Sequence, residues 1–149
     1  MGEASRVDLG GDHGPERDEP AEVLMARLGR LLSEVAVVDS MSDGAIMVDF
    51  RGTRAIVRSL TLADGLDVLS LTQVVAWDLP NTDALRDDIE RLGSELNFGA
   101  LKRSSAADVT CDVLLHYTFP GGNLTDLALL TLVHMVLASG VDLHEARTG

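Results

Sequence analysis

The sequence predicts an α+β domain: a single antiparallel sheet with helices packed mainly on one face, in the order α-β-β-β-α-β-β-α. Three observations carry that expectation. Alternating apolar runs between Ile46 and Trp77 are joined by short turns containing Gly52 and Gly65, the connection an antiparallel meander uses. Val109 to Phe119 alternates cleanly, so one face of that strand is buried and the other is mostly wet. The stretches Leu24–Val35 and Leu85–Leu96 instead space their apolar residues three and four apart, as a helix with one buried stripe does.

Residues 1–18 are rich in Gly and charge and show no period, which predicts a disordered tail that includes His13. One domain then spans residues 19–143, and residues 144–149 are expected to fray. Pro20 suits the first turn of a helix over about residues 20–35, with Leu24, Leu28, Leu31, Leu32 and Val35 on one side and Arg27, Arg30 and Glu34 on the other. Val35 to Val38 fits either a continuation of this helix or a strand. Ser40-Met41-Ser42-Asp43-Gly44 is a turn cluster. Ile46, Val48 and Phe50 alternate with Met47 and Asp49 as a strand. Thr53 to Leu60 returns, and Val68 to Trp77 is the third strand, with Leu69, Leu71, Val75 and Trp77 sharing a face. Pro80 discourages further strand.

Asn81 or Thr82 can cap the next helix through a side-chain oxygen. Leu85, Ile89, Leu92 and Leu96 form its buried stripe, and it ends near Asn97 and Gly99. Ala100 to Ser104 is a short strand and Val109 to Phe119 a long one. Leu124 to Gly140 then forms the closing helix, capped by Asn123 or Thr125, with Asp126 at the positive end of its dipole and Gly140 as its stop. From Leu127 to Ala138 only Thr131 and His134 interrupt its apolar run, so one sheet face cannot cover it. A second layer of the same chain, a second copy or a client must cover the rest. The run is shorter than the ~20 residues of a membrane span, which predicts a buried helix of a soluble domain and no membrane partner.

The chain of 149 residues is long enough for one domain with a sizeable core. Its net charge is −12, and Lys102 is its single lysine among scattered arginines, which argues against nucleic-acid binding, since that needs clustered cations on phosphates. An acidic lipid surface would repel it too. Cys111 is the single cysteine, so no internal disulfide forms, and with no apolar signal core at the N-terminus the expectation is a cytoplasmic protein.

Leu96-Asn97-Phe98-Gly99-Ala100 leaving the middle helix, the strand Asp112-Val113-Leu114-Leu115-His116, and the apolar helix after Asn123-Leu124 give the chain a likeness over roughly residues 20–142. The sequence resembles the type III secretion chaperone-like fold and, within it, the YbjN family of sensory transduction regulators. The first half agrees in element order rather than in motif. The resemblance implies a small, acidic, homodimeric protein that is not an enzyme and carries no cofactor. Secretion chaperones of this fold hold an effector segment in an extended form along their surface. The expected partners are therefore a protein or peptide client and a second copy of the chain.

No metal or catalytic residue is expected. His134 has no partner at ligand spacing, His116 falls on the polar face of its strand, and His144-Glu145 lacks the second histidine of a zinc helix. Cys111 alternates onto a buried face with no base beside it in sequence. Asp87-Asp88 with Glu90, and Asp64 with Asp67, lack calcium-loop spacing. Gly121-Gly122-Asn123 lacks the Lys of a phosphate loop and reads as a plain turn into a helix. The residues expected at a partner or dimer surface are Leu130, Val133, His134 and Leu137 of the closing helix. Trp77 and Leu114 join them if they cluster with Val74 or Ile56 on the outer face of the sheet.

Overall fold

The structure, a computed structural model, describes residues 19–41 and 43–148, the side chains of 147 and 148 excepted. The expected tail at 1–18 lies outside the described residues. The elements run α1 (Ala21–Leu32), β1 (Val37–Ser40), β2 (Ile46–Phe50), β3 (Thr53–Ala63), β4 (Leu66–Pro80), α2 (Asp83–Gly93), β5 (Ala100–Arg103), β6 (Thr110–Phe119) and α3 (Asp126–Thr148). All six strands form one sheet, ordered β1-β2-β3-β4-β6-β5, and every neighbouring pair is antiparallel. The α+β class and the single antiparallel sheet are as the sequence predicts. The ambiguous stretch after α1 resolves into a turn and the extra edge strand β1.

The three helices lie on one face of the sheet. Leu24, Leu28 and Leu32 of α1 share a core with Ile46, Val48 and Phe50 of β2. Leu129, Val133, Val136, Leu137 and Val141 of α3 meet the inward residues Leu69 and Leu71 of β4 and Leu115 of β6 in the same core. Leu85, Ile89 and Leu92 of α2 surround a small gap with Val75, Leu101, Val113 and Leu143, which puts α2 over the β5 end. Side-chain caps explain where α2 and α3 start. Thr82 Oγ1 accepts from Leu85 N–H at 3.1 Å, and Thr125 Oγ1 accepts from Ala128 N–H at 3.1 Å.

The closing helix is longer than the sequence suggests. Gly140 does not stop it; α3 runs on to Thr148, so residues 144–148 are helical rather than frayed. The reason for glycine here is packing. A Cβ on Gly140 would lie 1.9 Å from Gln73 Oε1 and 2.3 Å from Gln73 Cδ. Gln73 is fully buried beneath the helix, where its Nε2 donates to Thr53 Oγ1 at 2.8 Å and to Leu137 O at 3.1 Å. Thr53 Oγ1 in turn donates to Phe50 O at 2.7 Å. A buried polar relay thus fixes α3 over the β2–β3 turn, and Gly140 lets the helix come down onto it. Extended in this way, Asp126–Ala146 meets the length and composition of a membrane span, contrary to the shorter run read from sequence. Here one side of that length is buried on the sheet.

A second tie joins α1 to the start of α3. Arg27 donates from Nε and Nη2 to both Glu19 carboxylate oxygens at 2.9 and 2.6 Å, and from Nη1 to Asp126 Oδ1 at 2.9 Å. Glu19 Oε1 also accepts from Asn123 N–H at 3.2 Å, so the turn at Gly121-Gly122-Asn123 holds an anion of its own chain.

Candidate functional site

The chemistry-bearing residues do not converge. Among the described residues no group of three or more His, Cys, Asp or Glu is placed to hold a metal. Cys111 is buried, as its alternation predicts. His134 meets Phe50 edge-on at 5.5 Å, and His144 Nδ1 lies 2.8 Å from Val75 O.

The residues named for a partner surface separate into three places. Val133 and Leu137 are fully buried, and Leu130 is partly buried against the core, so these are packing residues rather than an exposed surface. His134 is half-buried beside Phe50. Trp77 is 50% exposed, but its ring stacks on His144 of α3, so it does not belong to a patch with Leu114. Two register irregularities in β4, between Val74 and Ala76 and between Ala76 and Leu79, set its direction. What α3 leaves outward is a stripe of Ala128, Thr131, Met135 and Asp142, together with Leu127.

Leu114 is where a surface exists. It faces Val74 on β4 and Lys102 on β5 across the ladder. Because the helices take the other face, no second layer lies over the outward residues of the sheet among the described residues. Register lays them out in two rows. One runs Val37, Asp49, Arg54, Val74, Leu114, Lys102. The other runs Asp39, Met47, Ile56, Thr72, His116, Ala100. Met47 with Ile56 and Val74 with Leu114 make two half-buried apolar pairs, and Arg54, Thr72 and His116 stand beside them on the central strands. His116 is held on this face by Thr72 Oγ1 at 2.9 Å from Nδ1 and Thr118 Oγ1 at 3.1 Å from Nε2. Burial, and then the nearby Lys102 charge, push its pKa below the usual histidine value.

A second feature lies at the end of the meander. The tight turn at Arg51-Gly52, both with positive φ, makes Phe50 and Thr53 a hydrogen-bonded pair. By alternation, the main-chain groups of Thr53, Ala55 and Val57 point to β2, and those of Ser59 and Thr61 point the same way. Yet β2 begins at Ile46, opposite Val57. β3 therefore outruns its neighbour, and among the described residues no strand pairs with Ser59 or Thr61 on that side. Beside this edge lies a groove of about 830 Å³. Ser59 and Leu60 form its sheet side, Met25, Ala26 and Gly29 of α1 its wall, and Met41, Asp43, Gly44 and Ala45 close one end. The Asp43–Arg58 ion pair stands at its rim, and the Arg58 guanidinium holds the Asp43 carboxyl below the usual carboxylate range. The projecting β3–β4 hairpin beyond it exposes Leu60, Leu62 and Leu66.

The sequence reading missed Ser59 and Thr61. The signal was available in the unequal strand lengths, since the alternating run after Gly52 is longer than the one before Arg51. No protein-family model matches the chain, and no curated protein matches it in sequence.

Proposed function

We propose that this chain is a non-enzymatic protein-binding module, a chaperone-like or regulatory adaptor that holds an extended segment of another protein. The observation that carries this reading is the edge of β3 at Ser59 and Thr61, which no strand among the described residues pairs, beside the groove under α1. An unpaired strand edge offers a row of donors and acceptors whose natural partner is another extended backbone. A segment added there continues the line of β2. Its alternate side chains point toward Met25, Ala26 and Gly29, which leave room for apolar groups of moderate size. The resemblance to secretion chaperones points the same way, as does a buried free cysteine suited to a reducing, cytoplasmic home.

The test is Ser59→Pro. The Ser59 N–H points away from β4, so its loss leaves the β3–β4 ladder intact while blocking an added strand. Tagged wild type and Ser59→Pro, with melting curves to confirm equal folding, are used to capture proteins from the cytoplasm of the source cells. Proteins held by the wild type and lost by the variant, identified by mass spectrometry, support the reading. Equal capture by both overturns it.

A further inference from the structure

The β5 edge of the sheet is electrically unlike the rest of the molecule. In a chain of net charge −12 most of the described arginines meet a carboxylate, Arg27, Arg54, Arg58 and Arg91 among them. Lys102 and Arg103 meet none among the described residues. Arg103 donates from Nη1 to Asn81 Oδ1 at 2.8 Å, a neutral acceptor that leaves its charge standing. Both residues line a cleft of about 570 Å³ between β5 and α2, and Arg86 of α2 lines it too. Arg86 is tied only to exposed acids of its own helix, Asp83 at 3.3 Å and Asp87 at 3.8 Å, contacts that solvent weakens. Against these three cations the described lining holds one acid, Glu90.

The backbone there is open as well. Ser104 N–H donates to Asp112 O at 2.9 Å, so Ser104, Lys102 and Ala100 turn their main-chain groups toward β6. Those of Leu101 and Arg103 point the other way, where β5 has no further strand among the described residues. The edge therefore offers two N–H donors and two carbonyl acceptors in a row. A bare phosphate or carboxylate satisfies the donors and is repelled by the carbonyls. An extended peptide satisfies both.

Alternation then says where acids belong on that peptide. A residue laid opposite Lys102 puts its side chain on the open face of the sheet, beside the ammonium. Its neighbour opposite Arg103 faces α2, on the side where Arg86 lines the cleft. The residue opposite Leu101 falls beside Ile89 and Gly93, an apolar place. We propose that this edge binds an extended acidic segment of another protein, two adjacent carboxylates flanked by apolar residues, added as a strand beside β5 and against α2. Elsewhere the net charge of the chain repels such a segment, which makes the edge selective. β4 and β6 separate this site from Ser59, so it stands or falls apart from the groove at β3.

The experiment is fluorescence anisotropy on the full chain with two labelled, terminally capped peptides, TVDEVT and its uncharged twin TVNQVT. The wild type is expected to bind TVDEVT at least about tenfold tighter than TVNQVT. Lys102→Glu, an exposed change that should leave the melting curve as it is, weakens TVDEVT by at least about tenfold. In that variant the reversed peptide TVKKVT binds better than TVDEVT. Ser59→Pro binds TVDEVT as the wild type does, and millimolar inorganic phosphate does not displace it. No saturable binding of TVDEVT overturns the inference, as do equal affinities for the two peptides or a complex that Lys102→Glu leaves unchanged. Displacement by phosphate overturns it in favour of a small-anion site, and loss of binding in Ser59→Pro moves the peptide to β3.

Discussion

Gly140→Ala separates two forces of opposite sign. In an isolated helix the change stabilises, by about 1 kcal/mol, because alanine loses less backbone freedom than glycine. In this fold the new methyl would lie 1.9 Å from Gln73 Oε1, 2.3 Å from Cδ and 2.7 Å from Nε2, all inside contact distance. A flexible side-chain end usually yields to such a clash. Gln73 cannot yield without loss, because it is fully buried and its amide N–H groups hold Thr53 Oγ1 and Leu137 O. Turning it away strands a buried amide, at about 1–3 kcal/mol. Lifting the helix instead opens the α3–sheet contact, at a similar about 1–3 kcal/mol for overpacking. Either cost less the propensity gain leaves a net loss of up to about 2 kcal/mol.

Urea unfolding followed by far-ultraviolet circular dichroism measures this directly, with the slope checked for constancy. The decisive comparison is a double-mutant cycle with Gln73→Ala. That change costs stability alone, since it leaves a cavity and removes two hydrogen bonds, but it makes room for the methyl. The two substitutions should couple by more than about 1 kcal/mol, with the double variant more stable than the sum predicts. Gly140→Ala that raises stability by the full propensity gain, or a cycle that shows no coupling, refutes the seating of α3 on Gln73.

Two further outcomes follow from the charges. Glu19 and Arg27 are largely screened from water, and the Arg27 hydrogen bonds hold the Glu19 carboxyl below its ordinary value. Arg27→Met leaves that carboxylate without its partner and should cost about 2–4 kcal/mol; because a depressed folded pKa gives stability that is complete above about pH 4.5 and lost as pH falls, the variant should also show a shallower acid limb in its stability profile. His116 has a folded pKa lowered by burial and by Lys102, so its contribution is complete above about pH 6.5 and is lost as pH falls through the lowered folded value. His116→Asn should flatten the stability profile over that window, and a profile unchanged from wild type would show that the ring is not desolvated there.

The fold was legible because its elements bury one face each. Ile46, Val48 and Phe50 alternate, Leu85 and Ile89 recur at helical spacing, and the turns carry Gly52 and Gly65; local pattern and tertiary burial agree at all of these. β1 was harder, since Val37-Val38-Asp39-Ser40 is short and mostly exposed, and an edge strand with little to bury has no period to read. The end of α3 was misplaced for a different reason. A glycine that stops a helix and one that admits a close neighbour look alike in sequence, and only the buried amide of Gln73 tells them apart. The candidate surface was partly legible. Leu114 stood out as an apolar residue among polar ones, but the register irregularities of β4 on either side of Ala76, and the stacking of Trp77 on His144, have no one-dimensional signature. Val133 and Leu137 were placed outside the core because a helix apolar on most of its circumference does not reveal which side the sheet takes.

The excess apolar surface expected on α3 finds a physical account in the layer arrangement. The sheet takes Leu129, Val133, Val136, Leu137 and Val141, while α1 is tied to the helix start through Arg27 and Asp126. Leu143, near its other end, stands with Leu85 and Leu92 of α2. What remains outward is small or polar along most of the helix, Ala128, Thr131 and Asp142, with Leu127 and Met135 as separate exceptions. Scattered apolar residues of that kind are ordinary on a protein surface. A sheet covered by helices on one side only is a different matter. On its other face Met47 beside Ile56 and Val74 beside Leu114 form two apolar pairs, with Arg54, Thr72 and His116 between and around them. What reads in sequence as one over-apolar helix is thus accounted for by packing against the sheet, α1 and α2, and Leu127→Asp at its exposed start should leave stability within about 0.5 kcal/mol of wild type in urea unfolding.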